Sequence, residues 1–165
     1  MTKEEQNVFL SGEYTEAIRY MDNAKEALQK AKKDGNHYID RKYVRTACGT
    51  AYLGVLIALD AWLKIKDVAL PPKKKQKSIE FYKENIAKID GKMVSRLQTV
   101  YRILHLEGYY WGEDNIKAIS GGFEDAYEII DKIKPENPIE VKESKTAAAK
   151  RILDKMLIFI SVMFR

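Results

Sequence analysis

The stretch RTACGTAYLGVLIALDAWL, residues 45–63, constrains the fold of this sequence more than any other feature. It carries no charge between Arg45 and Asp60, and small residues stand where a helix usually buries large ones. The small residues recur at helical spacing: Ala47, Ala51, Gly54, Ala58 and Ala61. Such a stripe lets a second backbone approach closely, while the larger residues fill the other faces. We therefore predict a buried central helix over about residues 41–66.

The preceding segment supplies the partner for this central helix. Its apolar stripe, from about Glu13 to Lys33, includes Ala17, Ala24 and Ala31. Alanine facing alanine shortens the distance between two helix axes, so we expect these two helices to be close neighbours. Gly54 is predicted to be the tightest point of their contact.

The rest of the chain also has apolar residues at alternating spacings of three and four, which is typical of packed helices. Further helices are predicted from Ser78, from about Met93 to GYYWG at 108–112, over about 113–133, and over about 144–164. No strand is indicated. We predict one all-α domain over residues 1–165, an up-down bundle of five or six helices. Residues 1–10 are expected to be a flexible N-terminus, and residues 135–165 to hold a helix that packs on the core or on a partner.

Composition excludes several classes of protein. Hydrophobic residues make up 45% and charged residues 32%, as in ordinary globular domains. Cys48 is the single cysteine, so no intramolecular disulfide or thiolate metal cluster can form. The uncharged run over 46–59 is shorter than the ~20 residues of a membrane span. The polar start MTKEEQNVF is unlike a secretory signal, and we expect a cytoplasmic protein without a membrane partner.

Catalytic and metal-binding constellations are not indicated by the residue spacings. The two histidines, His37 and His105, fall in different segments of the chain. Cys48 lies in the apolar helix, where a thiol is a small, inert hydrophobe. The glycine pair in SGGFEDA, residues 120–126, lacks the lysine of a phosphate-binding loop and predicts a helix kink or a close-packing site. We predict no catalytic residues, no metal ligands and no cofactor.

Four residues are candidates for binding a ligand. Arg102 and His105 are three positions apart on a predicted helix and are expected to share a face, with Tyr109 nearby. Arg45, just before the buried run, is expected to converge on them. Such a site would suit an anion or a nucleotide. The alternative is that His105 is a histidine at the core edge, bonded to a backbone carbonyl.

The basic loop, with Lys73, Lys74, Lys75 and Lys77, also leaves two interpretations open. Together with the formal net charge of +5, the cluster suits contacts with phosphates. A solvated loop explains the same residues.

The alanine-rich first helix followed by YVRTACGTAYLGVLIALDAWL, residues 43–63, resembles the HEPN superfamily of bacterial helical bundles. Residues 10–134, with RILHLEGYYWG and GGFEDAYEIIDKI, resemble a small HEPN-like bacterial family of unknown function. The resemblance implies a homodimer and, in nuclease members, an arginine followed after four to six residues by a histidine that acts with it on RNA across a dimer groove. Here Arg102 precedes His105 by three positions and Arg96 precedes it by nine, so neither has that spacing.

These observations favour a non-enzymatic binding or scaffolding protein that self-associates or binds another protein. A degenerate HEPN-type RNA-acting protein, using Arg96 or Arg102 with His105, is the alternative. The third possibility is a binder of small anions or nucleotides at the aromatic end of the fourth helix.

Overall fold

The computed structural model describes residues 1–71 and 77–136, and over these residues it confirms the all-α bundle. The helices are α1 Lys3–Gln29, α2 Arg41–Ile65, α3 Ile79–Ile89, α4 Gly91–Val100 and α5 Ile116–Ile130. α4 continues directly into a π-helix, Tyr101–Trp111, here named the π segment, and α5 ends in a 3-10 turn, Asp131–Ile133. The predicted helix at 144–164 and the lysines at 73–75 lie outside the described residues.

α1 and α2 form an antiparallel pair at the centre of the core, as the alanine stripe predicted. Ala17, Ala24 and Ala31 are completely buried. A Cβ atom added at Gly54 would lie 3.1 Å from the carbonyl oxygen of Ala17 and from Cβ of Tyr20. The close approach at Gly54 is thus confirmed.

The other faces of α2 pack on the π segment and on α5. Large, fully buried side chains fill this space: Leu59, Leu63, Leu104, Ile119 and Ile130. By length and composition alone, α2 could cross a membrane, but 61% of its most apolar window is buried against the rest of the chain. α2 is therefore the core helix of the bundle.

The beginning of the chain corrects two predictions. Residues 3–10, expected to be flexible, are the first turns of α1. Thr2 caps this helix through its side chain, which accepts from the Glu5 N–H, and the Glu5 carboxylate accepts from the Thr2 N–H. Ser11, a residue type that often caps a helix and that lies just before the predicted start at about Glu13, is instead a buried residue inside α1. The T-x-x-E spacing of a capping box was the overlooked signal.

A second correction concerns strands, which the sequence did not indicate. Lys33–Asp34 and His37–Tyr38 form a two-stranded antiparallel hairpin between α1 and α2. Gly35 turns it with a φ of 54°. The hairpin bonds to the chain before α5, where the Tyr38 N–H donates to the Asp114 carbonyl at 2.8 Å. It therefore fixes the position of the chain that leaves the π segment.

The glycine pair in α5 does not interrupt that helix. A Cβ atom at Gly122 would lie 2.7 Å from Cγ2 of Ile103, whereas one at Gly121 would meet nothing within 4 Å. Of the two predicted roles, Gly122 has that of a close-packing site.

Candidate functional site

A cleft of about 960 Å³ runs along α2, between the start of α3 and the π segment. We call it the α2 cleft. Arg45, Gly49, Tyr52, Leu53, Leu56 and Asp60 line it from α2, and His105 and Tyr109 line it from the π segment. The sequence predicted that α2 is a buried central helix, and this open face is the exception. The predicted alanine stripe lies on the buried faces instead.

The π segment determines which side chains reach the cleft. A π-helix bonds each N–H to the carbonyl five residues earlier and has more residues per turn than an α-helix, so residues four apart share a face whereas residues three apart do not. Tyr101, His105 and Tyr109 are spaced in this way and all line the cleft. The segment ends at Gly112, which has a φ of 72° and bonds back to the Glu107 carbonyl. Such rare helical geometry is frequent at functional sites.

Glycines let the π segment lie against α2. A Cβ atom at Gly49 would stand 2.9 Å from Cδ2 of Tyr109, so the Tyr109 ring lies on the bare backbone of α2. At Gly108, a Cβ atom would stand 2.5 Å from Sγ of Cys48. Both glycines are therefore contact points between the two helices.

His105 lies at the centre of an aromatic stack formed with Tyr52, Tyr101 and Tyr109. Its ring centroid is 4.5 Å from that of Tyr52 at 25°, and 6.2 Å from that of Tyr109 at 15°. The Tyr101 ring lies 5.2 Å away, tilted by 32°. The His105 side chain makes no hydrogen bond to any described residue. The predicted alternative, a histidine bonded to a backbone carbonyl, is therefore not what the described residues contain.

Arg45 lies at the same end of the cleft as the aromatic stack. Its guanidinium packs beside Gly112, where a Cβ atom would come within 2.9 Å of Nε. The side chain is exposed and has no ion pair or hydrogen bond with residues 1–71 or 77–136. Arg45, His105 and Tyr109 thus converge as predicted, with an unpaired cation beside stacked rings.

The fourth candidate, Arg102, does not lie where the sequence predicted. It does not share a face with His105 but lines a separate groove beside α5 and pairs with Glu107 at 2.8 Å. Arg96 pairs with Asp125 at 2.5 Å. Neither arginine of the RNA-acting alternative is therefore placed beside His105 in the α2 cleft.

The opposite end of the cleft holds a polar cluster that sequence analysis missed. The Tyr82 hydroxyl donates to Oδ1 of Asp60 at 2.8 Å, and the Lys77 ammonium pairs with Oδ2. Burial and the Asp60 carboxylate raise the pKa of Tyr82. Asp60, the first charge after a long uncharged run, was the only signal in the sequence.

Two features bear on the chemistry available. Burial raises the pKa of the Cys48 thiol to about 12, so the thiol stays protonated at neutral pH, as a structural cysteine would. No group of three metal-ligating side chains is present within the described ranges. Neither a thiolate nucleophile nor a metal site is therefore present in this part of the chain.

Comparison with known proteins places the chain in a family. Residues 12–135 match the model of a domain of unknown function, DUF5618. The chain belongs to the DUF5618 family. The solved structure of a protein of unknown function from Dyadobacter fermentans is 34% identical to this chain, with a TM-score of 0.63. The match covers 81% of this chain and 96% of that one. The search of curated proteins found no match.

The partly buried position of His105 predicts a pH dependence of stability in this DUF5618 chain. Burial lowers the pKa of His105, whereas a histidine in the unfolded chain titrates near 6.5. The neutral ring therefore contributes stability above about pH 6.5, and this contribution is lost as the pH falls through the lower folded value. His105→Phe keeps a ring and removes the titration. We expect the variant to lose less unfolding free energy than the parent between about pH 7.5 and 5.

Urea unfolding at both pH values measures this difference. Tyr110→Phe is the matched control, because Tyr110 contacts the same ring and the substitution leaves His105 in place. Equal pH dependence in His105→Phe and the parent would contradict the assignment.

Proposed function

We propose that this protein is a non-enzymatic binding protein whose α2 cleft takes a small ligand with a flat aromatic ring and a negative charge, such as a nucleotide or an aromatic carboxylate. One observation carries the proposal: the unpaired Arg45 guanidinium lies at the same end of the cleft as the Tyr52–His105–Tyr109 stack.

The two groups suit two parts of one ligand. Aromatic rings at the edge of a stack gain about 0.5–1.5 kcal/mol from an added parallel or tilted ring, beyond the area buried. A guanidinium binds carboxylate or phosphate with two parallel hydrogen bonds. Because Arg45 has no internal partner among the described residues, a ligand anion need not displace one.

The surroundings of His105 support binding over catalysis. Its neighbours within the described ranges are tyrosine rings, and no carboxylate or hydroxyl there is hydrogen-bonded to it to orient a proton transfer. Cys48, the one thiol, is buried with a raised pKa. The cleft therefore offers ring surface and a cation, and lacks an assembled nucleophile and base.

The test is titration calorimetry with adenosine monophosphate and benzoate, with adenosine and benzamide as the uncharged counterparts. We expect the anions to bind more tightly, and Arg45→Gln to weaken anion binding by about 10- to 100-fold, the usual effect of a lost charged hydrogen bond. The uncharged compounds should be little affected. Lys42→Gln is the matched control, since Lys42 is on the same helix, carries the same charge and lies over the Tyr43 ring.

Equal losses of anion affinity in Arg45→Gln and Lys42→Gln would mean that any positive charge on this helix has the same effect, and would contradict the proposal. Failure of all four compounds to bind would also count against it. Cleavage of RNA or of a nucleotide that is abolished in His105→Ala would show an enzyme instead.

A further inference from the structure

The middle of the α2 cleft is apolar although it is open to solvent. Leu53 is 51% exposed, whereas Leu59 and Leu63, on the same helix, are 1% and 0% exposed. Leu56 and Ile79 lie beside it in the cleft and are partly buried. Single exposed leucines are ordinary, but three apolar side chains lining one concave surface are typical of a ligand site.

Leu53, Leu56 and Ile79 form an apolar strip, and the polar side chains at its far end already have hydrogen-bond partners within the protein. Both oxygens of Asp60 are engaged, one by Tyr82 and the other by Lys77. The Ser78 hydroxyl accepts from the Phe81 N–H as the cap of α3. A hydrocarbon chain ending there would leave these groups with the partners they already have.

The order of features along α2 gives the order of parts in the ligand. Arg45 comes first, and the aromatic stack follows at the level of Gly49 and Tyr52. Leu53 and Leu56 come next, before Asp60. At the rise of an α-helix, Arg45 and Asp60 are about 22 Å apart. An anionic group and one ring fill only the first part of that length, so the apolar strip beyond them remains free.

Resting on the function proposed above, we propose that the ligand carries an aliphatic arm that lies along Leu53, Leu56 and Ile79. The site then selects compounds with an anion, a ring and a hydrocarbon arm in that order. Burial of each methylene is worth about a fourfold gain in affinity, and the gain should stop once the arm reaches Asp60.

Benzoate and its 4-butyl, 4-hexyl and 4-octyl derivatives test this proposal, because the para position directs the arm away from the carboxylate. We expect affinity to rise by about fourfold per methylene in the early part of the series. Leu53→Gln should reduce that gain per methylene. Val8→Gln is the matched control, since Val8 is 55% exposed on α1 and outside the cleft.

The outcomes separate this proposal from the one on which it rests. Benzoate binding with no gain along the series would overturn the arm and leave the anion and ring site standing. Equal gains in Leu53→Gln and Val8→Gln would reveal adsorption to exposed apolar surface and would also overturn it. Self-association lost in Leu53→Gln, with no gain from the arm, would assign the strip to a second copy of the chain.

Discussion

Gly108→Ala is expected to lower the free energy of unfolding by about 1–3 kcal/mol, toward the upper value. The added Cβ would lie 2.5 Å from Sγ and 2.9 Å from Cβ of Cys48, which is completely buried. Neither helix can yield easily, because the π segment lies against α2 at Gly49 as well. Urea unfolding of parent and variant gives the difference.

Two further variants make this expectation specific. Cys48→Ala removes the closest atom, so the double variant should lose less than the sum of the two single losses. Gly121→Ala is the same substitution in α5 where a Cβ atom meets nothing within 4 Å. It should raise stability by about 0.5–1 kcal/mol, through the lower flexibility of the unfolded chain. Equal effects at Gly108 and Gly121 would disprove the contact.

Gly54→Leu is expected to cost on the order of 1–3 kcal/mol through overpacking between α1 and α2. Its Cβ would lie 3.1 Å from a backbone oxygen, that of Ala17, so relief requires the two helices to separate. The alanines that face α2 would then lose contacts along the whole seam. The melting temperature and urea unfolding report this loss.

Gly12→Leu is the matched control for Gly54→Leu. Gly12 is exposed within α1, and a Cβ atom there meets nothing within 4 Å. Leucine is a better helix former than glycine, so this variant should be as stable as the parent or slightly more stable. A Gly54→Leu protein that melts with the parent would refute the close approach of α1 and α2.

The helices were predictable because small and large residues repeat with a helical period. α2 was expected over about 41–66 and spans Arg41–Ile65, and Ser78 caps α3 as expected. The alanines of α1 and Gly54 identify this close helix pair from the sequence alone, since two helices can approach closely only where their side chains are small. Local chemistry was therefore sufficient for the central part of the fold.

The site was only partly predictable, because the period changes inside one continuous helix. With a regular α-helical repeat, Arg102 and His105 would share a face. In the π segment the row is Tyr101, His105 and Tyr109, and Arg102 faces another groove. The residue types do not predict this change from α-helical to π-helical hydrogen bonding.

Contacts between distant parts of the chain were also beyond sequence patterns. Nδ1 of His37 lies 2.7 Å from the carboxylate of Asp114, seventy-seven positions away. The hydrogen bonds with His37 and Arg41 lower the pKa of that carboxyl. The cluster of Asp60, Lys77 and Tyr82 likewise depends on how α3 packs beside α2. Such pairings follow from the fold and not from local spacing.

The run of i→i+5 hydrogen bonds from Tyr101 to Trp111 makes the number of residues in that run a determinant of which side chains line the α2 cleft. Loss of one residue before Tyr109 would turn every later side chain of the helix by roughly the rotation of one residue, about 100° in an α-helix. Tyr109 would then rotate off the Gly49 backbone while the amino-acid composition stayed almost unchanged. Single-residue insertions and deletions, more than point substitutions, are therefore the changes that would alter which side chains line the α2 cleft on the same scaffold.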